Sequence, residues 1–262
     1  MGRLFECGDG KAVKVFKHRE RERAEYELIA VNAALRNGIT TPRAFGMTEL
    51  KDEIGIVYEI VPGTSLLAAM ARQPGDILDF ARQAAALHLS THRGPAAELL
   101  DFAAELAQTI EEAEHMSPES KAEAIAAIPR SERTECLLHA SFTPDNVMHT
   151  PDGLVAIDWG TAFKGDPLAD VAYAVLRLWS ADIPDGMNAA QKAVLETVRE
   201  PFTDAYLNHY LELSGASRAD VDRWLFPLAT VRLTMATPER RAITLDKLSP
   251  AHAEAIARMC SF

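Results

Sequence analysis

The sequence predicts an α+β chain in two lobes, a small β-rich N-terminal lobe and a larger, mostly helical C-terminal lobe. Three observations predict it. Short strand-like runs rich in β-branched residues fill the first part of the chain, and Pro62-Gly63 breaks the last of them. From Asp76 onward apolar residues recur mainly at helical spacing. The expected division is therefore residues 1–62 and residues 63–262.

Arg3 to Cys7, the turn signal Gly8-Asp9-Gly10 and the run Lys11 to Phe16 predict a hairpin. A charged segment then opens a helix over about Glu20 to Leu35, with Tyr26, Ile29, Ala30 and Ala33 at helical spacing and Asn37-Gly38 as the stop. Thr41-Pro42 begins an extended segment, and Ile54 to Val61 is a strand. In the second lobe, Asp76 to His92 and Ala96 to His115 are expected helices. The apolar runs Leu137-Leu138 and Leu154 to Ile157, around Pro151-Asp152-Gly153, predict a second hairpin. From Asp170 the pattern is helical, with breaks at Pro184-Asp185-Gly186, Ser214-Gly215 and Thr237-Pro238.

Composition narrows the classes of partner. A net charge of -11 is repelled by phosphate backbones, so nucleic acid is not an expected partner. No apolar run approaches the roughly 20 residues that span a bilayer, and the charged first thirty residues carry no signal-like apolar stretch. Cys7, Cys136 and Cys260 are sparse and far from metal-ligand spacing, which is read as reduced thiols and a cytoplasmic setting.

The chemistry-bearing segment is His139-Ala140-Ser141-Phe142-Thr143-Pro144-Asp145-Asn146, followed twelve residues later by Asp158 in Ile157-Asp158-Trp159-Gly160. Transfer of a phosphoryl group from ATP needs Mg2+ held by oxygen ligands, and protein kinases use a loop Asn and the Asp of a following turn. Asn146 and Asp158 stand in that order, flanking a hairpin that would bring both side chains to one point. A lysine on a strand, oriented by a helix carboxylate, would neutralise the α/β-phosphates. Lys14 in Ala12-Val13-Lys14 and Glu27 on the following helix fit, with Glu25 as a competing choice. Tyr58 to Gly63 ends a strand at the lobe junction, where backbone groups of Glu59 and Ile60 could pair with the purine edge of ATP.

With these marks in order, the chain resembles the aminoglycoside phosphotransferase/choline kinase superfamily, whose fold is protein-kinase-like. The likeness runs from Ala12-Val13-Lys14-Val15-Phe16 through the helix and turn ending at Pro42, Val57 to Leu66 and Ala84 to Ser90, then to the His139–Asn146 loop, Ile157 to Gly160 and Gly165 to Ala172. It implies Mg2+ on Asn146 and Asp158, ATP phosphates ordered by Lys14 and Glu27, and His139 packed under the site. It also implies that Asp170 braces the loop. A small hydroxylated molecule is the implied acceptor, held by segments within about Ala96 to Ile128 and Tyr206 to Leu248. The charges there, acidic in the first stretch and basic in the last, leave open whether the acceptor is cationic or anionic.

Two departures from the family pattern stand out. Its loop reads H-G-D-x-x-x-x-N, and the aspartate, the acceptor's general base, is replaced here by Ser141. A serine can orient a hydroxyl but cannot take its proton near neutral pH. Asp145 is the nearest carboxylate in sequence and is expected to face away from the substrate. The family's glycine-bearing phosphate lid would precede the first strand, so the lid is expected to be short or missing. A naturally short member, a truncated start and a non-catalytic pseudokinase are three readings of that difference.

Overall fold

The computed structural model describes residues 3–260. Strands β1 (Arg3–Gly8) and β2 (Lys11–Lys17) form the first hairpin. Gly8, Asp9 and Gly10 all take positive φ there, the left-handed backbone that glycine adopts without a Cβ clash. Helix α1 (Arg21–Arg36) follows and ends at Asn37 and Gly38, the latter at φ 70°. Strands β3 (Ala44–Leu50) and β4 (Glu53–Glu59) complete an antiparallel sheet in the order β1-β2-β4-β3. Phe16, Ile54 and Ile56 of the sheet pack against Ala24 of α1 in a small core.

Gly63 marks the passage to the helical part. Its φ is 152°, and a Cβ there would lie 2.3 Å from the His149 carbonyl oxygen, so only glycine fits. Next come β5 (Thr64–Ser65), α2 (Leu66–Arg72) and α3 (Ile77–Thr91), then α4 (Phe102–Glu111) and α5 (Pro118–Ala126). The expected helix from Ala96 begins only at Phe102. Asp101 caps it by accepting from the Ala104 N–H at 2.9 Å, and the preceding chain is drawn to strand pairing, with Ala96 N–H donating to the Glu135 carbonyl.

Four short strands follow: β6 (Cys136–Leu138), β7 (Val147–Thr150), β8 (Gly153–Ala156) and β9 (Phe163–Gly165). The second hairpin is β7–β8, turning at Pro151-Asp152, while Leu137-Leu138 pairs with β9 instead of joining it. The rest is α6 (Pro167–Ser180), α7 (Ala189–Ser214), α8 (Arg218–Arg232), α9 (Pro238–Lys247) and α10 (Pro250–Met259). The breaks between α6 and α7, at Gly215 and at Thr237-Pro238 fall where the sequence places them. A continuous core of α2, α3, α6, α7 and α8 buries Trp159, Phe202, Tyr206 and Leu176. At about 1.5–3 kcal/mol for each fully buried large apolar side chain, this core fixes the helices that carry the site.

Candidate active site

Three elements bring one charged cluster together. Lys14 on β2 donates from Nζ to both Glu27 oxygens on α1, at 2.7 and 2.8 Å, and to Asp158 Oδ1 at 2.7 Å. Glu27 is almost fully buried and also accepts from the Tyr58 hydroxyl at 3.0 Å. Glu25 is excluded from this cluster: it is half-exposed and lies 3.9 Å from Arg21. Burial raises the Glu27 carboxyl despite the neighbouring ammonium. At Asp158 burial also pulls upward, but the Lys14 charge and hydrogen bond outweigh it and hold the carboxyl below its ordinary range. Asp158 takes φ 65°, and a Cβ on Gly160 would lie 2.8 Å from Glu27 Oε2, so the turn after β8 is shaped around this cluster.

The Ile157 N–H donates to the Asn146 carbonyl at 3.0 Å, extending the β7–β8 ladder and setting Asn146 beside the Asp158 turn. The Asn146 amide nitrogen donates to Ser141, at 2.9 Å to its carbonyl and 2.9 Å to its hydroxyl. That leaves the amide oxygen as the free acceptor end. An amide oxygen and a carboxylate are hard donors that suit Mg2+, so the residues fit the ion that the fold implies.

The loop is held from below by Asp170 on α6. Its fully buried carboxylate accepts from the N–H groups of His139 at 2.6 Å and Ala140 at 3.0 Å. Ala140 sits at φ 51°, a strained conformation that these bonds sustain. His88 and His92 of α3 approach the same carboxylate at 3.1 and 3.3 Å, and their Nδ1 atoms pair with the hydroxyls of Tyr206 and Tyr210 on α7 at 2.5 and 2.7 Å. Burial alone would raise Asp170, but His88 and the bond from His92 lower it well below the carboxylate range. Burial pushes His88 down to about 4, so its imidazole is neutral. His139 is likewise lowered to about 4 by burial and donates from Nε2 to the Ile157 carbonyl at 3.0 Å. It is fully buried between Phe142 and Trp159, so it supports the loop and has no path to an acceptor.

Ser141 differs from a carboxylate in more than charge. Its hydroxyl oxygen accepts from Asn146 and also from the guanidinium of Arg177 on α6. A hydroxyl has two acceptor lone pairs, and both are taken. Beside it a pocket of about 180 Å³ is lined by Thr143, Asp145, Arg177, Asp182, Arg199 and Phe202, among others. Asp145 is among the residues that line this pocket. The pocket is built from α2, the loop, the end of α6 and α7, outside the two stretches expected to hold the acceptor, 96–128 and 206–248. At the strand end, the N–H groups of Glu59 and Ile60 donate to the Arg43 and Gly10 carbonyls at 2.9 and 2.8 Å. Those donors are spent inside the protein, so a purine could be met there by carbonyl groups or by later residues.

Residues 4–213 match the model of the phosphotransferase enzyme family. Among solved structures, an aminoglycoside-3'-phosphotransferase of type VIII is similar over 87% of this chain and 93% of its own, with 19% identity and a TM-score of 0.58. An amicoumacin kinase, solved in complex with AMP-PNP, Ca2+ and Ami, covers 97% of this chain and 86% of its own, with 15% identity and a TM-score of 0.56. An aminoglycoside phosphotransferase in ternary complex with ADP and hygromycin B covers 98% and 93%, with 13% identity and a TM-score of 0.51. At these identities the likeness is one of fold. Among curated proteins, acyl-CoA dehydrogenase family member 10 of Mus musculus is 29% identical over 105 residues, 39% of this chain. The chain spans 10% of the length of that relative.

Proposed function

Because the chain belongs to the phosphotransferase enzyme family, we propose that it binds ATP with Mg2+ between its two parts and transfers the γ-phosphoryl group to a hydroxyl of a small molecule. The observation that carries this reading is the Lys14–Glu27–Asp158 cluster, assembled from β2, α1 and the turn after β8. Pro62-Gly63 would be the hinge between residues 1–62 and 63–262. Lys14, oriented by Glu27, would meet the α/β-phosphates, and Asn146 and Asp158 would hold the ion. Mg2+ bound there neutralises phosphate charge. Among the described residues no helix is long and apolar enough to cross a membrane.

In the transfer, the acceptor oxygen bonds to the γ-phosphorus and the bond to the β–γ bridging oxygen breaks, leaving ADP. The hydroxyl proton passes to solvent or to a phosphoryl oxygen, because Ser141 has no free lone pair to take it. A positioned base contributes about 10²–10⁴-fold, so turnover rests on positioning and charge neutralisation and is slow. The Arg177 guanidinium, donating to Ser141 at the expected position of the base, favours a second reading, a nucleotide-binding member that does not turn over.

Two measurements test these readings. ATP with Mg2+ should raise the melting temperature, since a ligand at a hundred times its Kd adds about 2.7 kcal/mol to the folded state. No shift removes both readings. ATP consumption is then compared between the native protein and Ser141→Asp over a panel of hydroxylated acceptors. Turnover by the native protein supports the transferase. Turnover by the variant alone supports the second reading, and none by either removes the transferase.

A further inference from the structure

The pocket beside Ser141 is where an acceptor would present its hydroxyl, and its charges are unevenly satisfied. Arg199 donates to the Leu178 carbonyl and pairs with Glu196 at 3.2 Å. Asp182 is exposed and lies 3.6 Å from Arg240. Arg177 is different: it is half-buried, its guanidinium donates to a neutral hydroxyl, and among the described residues it pairs with no carboxylate. A guanidinium held in a partly buried site without a counter-charge is a site for one. Its five N–H donors exceed what the single Ser141 hydroxyl can accept.

We propose that Arg177 is the anchor for an anionic group, a carboxylate or phosphate ester, on the small molecule bound in this pocket. Resting on the phosphotransferase reading, this makes the acceptor a hydroxylated acid and not a polycation. Ser141 is then part of the same device. An aspartate at that position would neutralise Arg177, whereas a serine hydroxyl holds the guanidinium in place and leaves its charge available. The loss of the base and the gain of an anion site are one change seen from two sides. Asp145 lines the pocket too, on the loop beside Asn146, where it would meet the acceptor's hydroxyl end and disfavour an anion placed there. It fixes which end of the ligand faces Arg177.

Three probes of one size separate the charges: glycerate, glycerol and the amine serinol. Each is titrated into the full chain, by melting temperature and by ligand-observed NMR, with no nucleotide present. Glycerate should bind and the other two should not. Arg177→Gln should weaken glycerate binding by about tenfold or more, the usual size of one charge-assisted bond, and Arg177→Lys should restore part of it. Ser141→Asp should weaken it as well, which keeps the test open if Arg177→Gln fails to fold. Equal glycerate binding by Arg177→Gln or by Ser141→Asp overturns the proposal. So does preference for serinol, or no glycerate binding at about 50 mM, a concentration at which a single fixed ion pair should register. A variant that loses only the ATP shift reassigns Arg177 to the nucleotide phosphates and overturns it too. ATP with Mg2+ is titrated separately, so a failure of nucleotide binding counts against the phosphotransferase reading and leaves the anion site to be judged on glycerate.

Discussion

The two halves of the site have been treated differently. In the half proposed to hold the nucleotide, every charge of the cluster has a partner suited to it: Lys14 lies between Glu27 and Asp158, and Tyr58 steadies Glu27. In the half proposed to hold the acceptor, Ser141 stands where the family resemblance expects an aspartate, and an arginine reaches it from α6. The same loop joins the two halves, since the Asn146 amide donates to Ser141 and its backbone carbonyl accepts from the Ile157 N–H, next to Asp158. Both halves therefore depend on the one loop that Asp170 braces.

The sharpest way to break this comparison is to rebuild the acceptor half. Ser141→Asp alone places a carboxylate beside Arg177, which would hold it as an ion pair and keep it from the hydroxyl. Adding Arg177→Gln frees it. With a neutral polyol acceptor, ATP consumption by the double variant should exceed that of the native protein by about 10²-fold or more, with the single variant well behind it. Equal rates for the single and double variants would show that Arg177 does not restrain the base.

Removing the common brace should damage both halves together. Asp170→Ala strands two backbone N–H groups and two buried imidazoles, so stability should fall by about 3–5 kcal/mol in urea unfolding. A loss below about 1 kcal/mol would mean that the loop is held by its packing alone. A smaller and purely local effect belongs to the nucleotide half. Asp158→Ala should erase the Mg2+-dependent part of the ATP melting shift while leaving the apo fold intact, because its side chain is partly exposed and Glu27 still holds Lys14. An unchanged Mg2+ effect would place the metal elsewhere.

The Lys14–Glu27–Asp158 cluster is legible in the sequence because each part announces itself locally. Lys14 sits in a strand pattern and Glu27 on a helical face. The turn around Pro151-Asp152-Gly153 converts the twelve-residue gap between Asn146 and Asp158 into proximity. Arg177 was not legible, because its contact with Ser141 spans 36 residues and exists only where Asp170 pins α6 to the loop. One signal could have found it. Arg177 lies seven residues after Asp170, two helical turns on, and so on the same face of α6. The pairs His88/His92 and Tyr206/Tyr210 carry the same kind of signal, each four apart on one helix, but nothing in the local sequence says that the two faces meet 118 residues apart. Leu137-Leu138 was misplaced for a related reason: an apolar run shows that it is buried, not which strand it pairs with.

The gentlest probe of the comparison is acid, which below about pH 6.5 acts on the imidazoles under the loop. His88 and His139 are buried neutral, with pKa values pushed down to about 4, while in the unfolded chain each would titrate near 6.5. Below that unfolded value the unfolded state binds protons that the native state refuses, so stability drops as pH falls from about 6.5 toward 4. The slope is about 1.4 kcal/mol per pH unit for each proton so linked. Asp170 and Asp158, both held below the carboxylate range, add to the loss only at lower pH, once the unfolded carboxylates begin to protonate near 4. Melting temperature should therefore be flat from pH 8 to about 7 and decline between about 6.5 and 5, ahead of the losses at Asp170 and Asp158. A melting temperature unchanged down to pH 5 would mean that these imidazoles can take up protons in the folded state, and that the loop's brace is not the dry, neutral network described above.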